Sequence, residues 1–225
     1  MKKTIILSLI ALSLSGCSKG NDLSYSKDAY NNADMTFVGI PTILGLGVIG
    51  STFPITPNYS LTAKHVAKYS FNSVLAYHPN CDIAIIKHNN KGRYIPELNQ
   101  TYFNEDIKNY GYSFISALPV SSSGIVKKRL LMLSSYNDKE CPVMFSNSGV
   151  VPGMSGGPVY NTKNQIIGVN VASQSGYTEV LNNKKQSFTG KEGEGLLFVN
   201  IGDIKGWMIE EINKTEDNGK LKFAF

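Results

Sequence analysis

Residues 150–160 read VVPGMSGGPVY. Strand-like residues stand on either side of Gly153, Ser155, Gly156 and Gly157, with prolines at 152 and 158. Glycine contributes no packing surface, but it lets a backbone take unusual dihedrals and approach another group closely. A serine among such glycines sits where a nucleophile on a tight turn would sit. A hydroxyl nucleophile needs a base to take its proton, so the reading of the fold turns on where that base lies.

The chain contains three histidines, His65, His78 and His88, and all precede Ser155. The G-x-S-x-G elbow of an α/β-hydrolase requires its histidine after the serine, so that reading fails. The flanking pattern agrees. From Met35 to about Asn200 the chain is a series of short apolar runs, among them FVGI, TFPI, DIAII, PVMF and IIGVNVA, cut by Asn, Gly, Ser and Pro. Short runs rich in Val, Ile, Tyr and Phe predict an all-β sandwich or barrel. One helical period stands out in DIKGWMIEEINK, where Ile204, Trp207, Met208, Glu211 and Ile212 recur at helical spacing. Residues 215–225 read as a tail.

His65 lies in YSLTAKHVA, Asp82 opens the strand-like CDIAIIK, and Ser155 lies in GMSGGP. These three frames, in this order, resemble the histidine, aspartate and serine motifs of trypsin-like serine peptidases of the chymotrypsin fold. The bacterial Deg/HtrA and glutamyl endopeptidase groups are the most similar. GSTFPITPNYSLTAKHV is similar to the family's first-barrel hairpin. NYGYS (109–113) with SGIV (123–126) resembles the opening of the second barrel, and FVNIGDIKGWMIEEI resembles the closing strand and helix. The likeness spans roughly residues 35–213. It implies two six-stranded antiparallel β-barrels and a C-terminal α-helix, with an N-terminal barrel over 34–108 and a C-terminal barrel plus helix over 109–214. The first barrel is expected to be trimmed, because only 17 positions separate His65 from Asp82.

The resemblance implies a serine endopeptidase acting on protein or peptide substrates through an acyl-enzyme, with His65, Asp82 and Ser155 as triad and the N–H groups of Gly153 and Ser155 as oxyanion hole. The alternative is the same barrel as a catalytically silent peptide- or protein-binding module. Pancreatic-type members carry an aspartate where Met154 stands, so activation by a freed N-terminus is not expected. As rivals, His78 beside a proline reads as an exposed turn residue, His88 as solvated, and Asp106 as part of the connection between domains. The strand IIGVNVASQSG is expected to line the cleft, with Asn170, Val171, Ala172 and Ser173 as substrate-binding positions. The specificity-pocket floor would come from Ser148, Gly149 and Val150. None is acidic, so an uncharged, small or medium aliphatic residue before the scissile bond is expected.

The 225 residues suit one large or two small domains, and 42% hydrophobic against 17% charged residues describe a protein with ample core. No Lys/Arg run interleaved with aromatics supports nucleic-acid binding. No zinc spacing or phosphate-binding loop calls for a metal or a cofactor. The N-terminus has a basic start (Met1-Lys2-Lys3), an apolar stretch over Thr4–Ser15, and then Leu14-Ser15-Gly16-Cys17. This resembles the bacterial lipobox of a lipoprotein signal peptide, which implies acylation (palmitate) of Cys17 and attachment to a membrane through that lipid. In a Gram-negative cell, Ser18 after the cysteine implies the outer membrane, facing the periplasm. Residues 18–33 are polar and read as a flexible tether. Without Lys2 and Lys3, 20 basic residues face 17 acidic ones. Cys81 and Cys141 remain in a disulfide-permitting compartment; a bridge and two buried free thiols are both open.

Overall fold

In the computed structural model, residues 23–39, 48–132, 140–174, 179–180 and 194–215 are described. The lipobox with Cys17 lies outside these residues.

The chain begins with strand β1 (Leu23–Tyr25) and helix α1 (Lys27–Asn32). There follow β2 (Asp34–Val38), β3 (Val48–Pro54), β4 (Tyr59–Thr62), the short helix α2 (Lys64–Tyr69), β5 (Val74–Tyr77) and β6 (Ala84–Lys87). These strands form one antiparallel sheet in the order β2-β3-β4-β6-β5. The second half holds β7 (Asp106–Tyr112), β8 (Pro119–Met132), β9 (Cys141–Ser146), β10 (Pro158–Asn161), β11 (Ile166–Gln174), β12 (Glu179–Val180) and β13 (Gly195–Asn200), then helix α3 (Ile201–Asn213). Its strands run β8-β7-β10-β11-β13-β9, and pairing of β9 with β8 closes the circuit into a six-stranded barrel. β1 and β12 pair with β8 outside that circuit.

The strands form where the apolar runs stand. β4 and β13 are buried at every residue, as expected of strands covered on both faces. Ile107, Val126, Ile167 and Phe198, from four strands of the barrel, pack into one cluster with Met154. A larger cluster crosses between the two halves. It joins Phe53, Leu61 and Ile83 to Tyr110, Val169 and Leu197, with Ile201, Ile204, Met208 and Ile212 of α3 closing one side. Asn200 caps that helix, its side chain accepting from the Gly202 N–H at 3.1 Å. Cys81 and Cys141 are bonded to each other with Cα atoms 5.0 Å apart, tying the turn before β6 to the start of β9. A cross-link between residues 60 apart restricts the unfolded chain and contributes roughly 2–4 kcal/mol. Among the described residues no helix is long and apolar enough to cross a membrane.

Two expectations are revised. Residues 23–33 are not tether. Leu23, Ser24 and Tyr25 pair with Ser122, Ser121 and Val120, and Ala29 and Ala33 are wholly buried. The composition of 18–33 is polar, but a strand added to an existing edge draws its bonds from the backbone, whatever its side chains. The domain boundary at 108/109 falls inside β7, whose pairing with β8 runs from Asp106 to Tyr112. Asp106 is therefore the exposed first residue of a barrel strand. The first half shows five strands among the described residues, in keeping with the trimmed first barrel expected from the short His65–Asp82 spacing.

Candidate active site

His65 and Asp82 are delivered by adjacent strands. β4 ends at Thr62, Ala63 stands at the N-cap of α2, and His65 is the second residue of that helix. Asp82 lies in the turn between β5 and β6, 3% exposed and next to the bridged Cys81. Since β4 pairs with β6 (Thr62 opposite Ala84), the end of one strand and the start of the other lie side by side. Asp82 Oδ1 accepts the backbone N–H of His65 at 2.9 Å, and Oδ2 takes the Nδ1–H of the ring at 2.6 Å. A carboxylate only accepts, so Nδ1 carries the proton and Nε2 becomes the basic ring nitrogen. The imidazole is 24% exposed against 4% for the carboxylate, so a buried anion holds a ring with one accessible edge.

The turn that sets Asp82 is organised by His78. Its Nδ1 accepts the N–H groups of Asn80 (3.2 Å) and Cys81 (2.9 Å), and its backbone N–H reaches Ile83 O at 2.9 Å. The ring stands edge-on to Trp207 of α3 with centroids 4.8 Å apart. Burial, then the charge of Lys64, lowers its pKa to about 4. His78 is therefore a neutral, half-buried hub of the turn and not the exposed residue expected. His88 is likewise half-buried, its Nδ1 3.1 Å from Ser60 Oγ, and not solvated.

In the loop 152–157, successive peptide groups are held by their carbonyls. Pro152 O accepts from Phe114 N–H at 2.8 Å. Gly153 O accepts from Ser51 Oγ at 2.8 Å. Met154 O accepts from Gly157 N–H at 3.0 Å and Asn170 Nδ2 at 3.3 Å. Ser155 O accepts from Ser51 N–H at 2.8 Å. In a trans peptide the N–H points opposite to the C=O. Anchoring Pro152 O and Met154 O thus turns the N–H groups of Gly153 and Ser155 outward. Neither meets an acceptor among the described residues, whereas Met154 N–H and Gly156 N–H are bonded inward, to Val151 O and Asn170 O.

Two glycines make this loop possible. Gly153 has φ +99°, and a Cβ there would lie 2.5 Å from Tyr112 O. Gly156 has φ +87°, and its Cβ would lie 2.1 Å from Ser51 O and 2.9 Å from Ala63 N. The residue after Ser155 is thus pressed on the residue two before His65, which brings the serine loop to the start of the histidine helix. Met154, wholly buried, plugs the loop into the barrel core. Ser155 is half-buried, and its hydroxyl bonds to no described residue.

The residues expected to line the cleft divide. Asn170 and Val171 are 1% and 3% exposed and point into the protein. Ala172 is half-buried and Ser173 exposed. The register shift between Asn170 and Ala172 in the pairing of β11 with β13 accounts for the split, since such a shift re-aims the side chains beyond it. Asn170 acts from below, its Nδ2 donating to Tyr110 O (2.9 Å) and Met154 O. Gly149 is buried in the barrel wall. Its carbonyl accepts from Asn109 Nδ2 at 2.9 Å and its N–H donates to Ser122 Oγ at 2.7 Å. Sequence reasoning missed Ser51, Asn109 and the role of His78. A hydroxyl inside the apolar run VIGSTFP was the one visible hint of the first.

A closed six-stranded barrel, a second sheet and a C-terminal helix form the architecture seen in chymotrypsin-like serine proteases. The comparisons specify it further. No protein-family model matches the chain, and no curated protein matches its sequence. Solved structures share its fold. The active form of the Rv3671c protease from M. tuberculosis aligns over 88% of either chain with a TM-score of 0.64 and 18% identity. The HtrA-type protease AlgW, solved with a tripeptide, covers 82% of this chain with a TM-score of 0.63 and 17% identity, and this chain spans 61% of its length. The serine endoprotease from Yersinia pestis covers 85%, over 68% of its own length, with a TM-score of 0.58 and 14% identity. The fold is that of HtrA-type and trypsin-like serine proteases.

Proposed function

We propose that the chain is a serine endopeptidase working through His65, Asp82 and Ser155, attached to a membrane of the cell envelope by lipid on Cys17. The observation that carries the reading is the double contact of buried Asp82 with the ring and backbone of His65, beside the loop that holds Ser155.

Extended substrate adds to the open edge of β11 beyond Asn170 through main-chain hydrogen bonds, alongside Ala172 and Ser173. Ser155 Oγ attacks the scissile carbonyl carbon as His65 Nε2 removes its proton, the hydrogen bond between the two forming as substrate enters. Asp82 stabilises the imidazolium without taking its proton. The outward N–H groups of Gly153 and Ser155 receive the carbonyl oxygen as it becomes an oxyanion, and one such donor is worth about 3 kcal/mol of barrier. The tetrahedral adduct collapses as the C–N bond breaks and His65 protonates the leaving amine. Water, deprotonated by the same nitrogen, then hydrolyses the acyl-serine ester. The uncharged floor Ser148-Gly149-Val150 supports an uncharged residue before the scissile bond. No specific observation favours the silent-module alternative, which needs Asp82 displaced from His65.

A mass-spectrometric cleavage profile of a peptide library tests the reading. The full chain should cut internal bonds, mainly after small or medium uncharged residues, and Ser155→Ala should cut none. Cleavage that survives in Ser155→Ala, or none by the folded protein, contradicts it. Metabolic labelling with palmitate should mark the chain and be lost in Cys17→Ser.

A further inference from the structure

Ser51 lies on β3, in the other half of the molecule from Ser155, and is wholly buried. Every polar group it has is committed. Its hydroxyl donates to Gly153 O (2.8 Å) and accepts from Tyr112 N–H (3.0 Å). Its backbone N–H donates to Ser155 O (2.8 Å), and its carbonyl accepts from Thr62 Oγ1 (2.7 Å). Because Gly153 O can only accept, the single hydroxyl proton goes there, and the Tyr112 N–H takes a lone pair. One residue therefore joins three segments: the loop that carries the candidate nucleophile, the end of β7, and the end of β4 that leads into His65.

The consequence lies in the peptide planes. Four consecutive peptide groups, from Pro152–Gly153 to Ser155–Gly156, are held by their carbonyls, and Ser51 holds the second and the fourth. These planes bracket the Met154–Ser155 peptide, whose N–H is a candidate oxyanion donor. With both neighbours fixed, the rotations about the Cα atoms of Met154 and Ser155 have little freedom left. The direction of the Ser155 N–H and the place of its side chain are set together.

We infer that Ser51 is a positioning residue for the oxyanion hole and the nucleophile: its hydroxyl and N–H clamp the carbonyls of Gly153 and Ser155 so that the intervening N–H faces the cleft. This rests on the endopeptidase reading for its catalytic meaning, while the clamp is a property of the loop itself. Ser51→Ala keeps the backbone bond to Ser155 O and deletes both hydroxyl bonds, leaving Gly153 O and Tyr112 N–H buried without partners. The Gly153–Met154 peptide is then held only through its N–H, by the 3.2 Å bond to Val151 O, and a small misplacement of reacting groups costs up to about 100-fold in rate.

The test compares wild type, Ser51→Ala and Ser51→Thr in the full chain. Ser51→Ala should lower kcat roughly 10- to 100-fold with KM within about threefold, because the lost interaction matters only as the oxyanion forms. Affinity for a peptide aldehyde, which forms the tetrahedral adduct, should fall with kcat, while affinity for the product peptide stays level. Ser51→Thr, which keeps the hydroxyl, should restore most of kcat. Amide hydrogen exchange should quicken at Met154, Gly156 and Gly157 in Ser51→Ala and return to wild-type rates in Ser51→Thr. Unchanged kcat in a folded Ser51→Ala overturns the inference, as does a loss in which aldehyde and product affinities fall alike. If wild type forms no aldehyde adduct, the endopeptidase reading fails; the exchange rates then decide the clamp by themselves. Should Ser51→Ala not fold, Ser51→Thr and Ser51→Cys carry the comparison, and equal exchange and equal kcat in both contradict it.

Discussion

Asp82 gives both oxygens to a single residue, one to the backbone of His65 and one to its ring. That arrangement separates fold from chemistry in one substitution. In Asp82→Asn the remaining carbonyl oxygen still accepts the backbone N–H. The amide NH2, however, meets Nδ1 as a donor and drives the ring to the tautomer protonated at Nε2. Such a ring cannot take the serine proton. At neutral pH kcat should fall about 10,000-fold while the melting temperature moves by only a few degrees, measured by steady-state kinetics beside thermal unfolding; retained kcat contradicts the assignment. The candidate positions His65, Asp82 and Ser155 could be proposed from the sequence because each sits in a local frame of six to nine residues. Ser51 was not, since its hydroxyl acts on a carbonyl 102 positions away. Asn170 was legible as a position and misread as a contact. The register shift after it turns the side chain beneath the loop that it supports.

At the scale of elements, the short path from His65 to Asp82 is possible because α2, β5 and the turn at 78–81 compress what a longer loop would do. The neutral ring of His78 is the centre of that turn, and this has a measurable cost in acid. Its folded pKa, about 4, lies below the ordinary 6.5. Between those values the unfolded chain binds the proton and the folded chain does not. Stability from this group is complete above about pH 6.5 and is lost as pH falls toward 4. After allowance for its partial exposure the loss is on the order of 1 kcal/mol. Urea midpoints measured from pH 4 to 7 should slope more steeply for wild type than for His78→Gln; parallel slopes contradict the role. The turn was legible in His78-Pro79-Asn80, but the ring's partners were not, because Trp207 comes from the far end of the chain. α3 was legible from Ile204 onward by its periodicity. Its true start at Ile201 depends on the Asn200 cap, which reads like any loop asparagine until the helix is seen.

Across the whole molecule the two halves are joined by a shared apolar cluster, by the Cys81–Cys141 bond and by the contacts of Gly156 and Ser51. The all-β class and the order of the halves were visible in the rhythm of apolar runs and turns. The closure of β9 on β8 and the pairing of Leu23–Tyr25 with β8 were not, because pairing between distant segments leaves no local pattern. In the proposed mechanism this seam activates one serine out of all those in the chain. Intact-mass and peptide-mapping mass spectrometry after treatment with a fluorophosphonate measures that directly. One adduct per chain is expected, located on Ser155, and none in His65→Ala; a folded wild-type chain that stays unmodified, or carries its adduct on another residue, would contradict the mechanism.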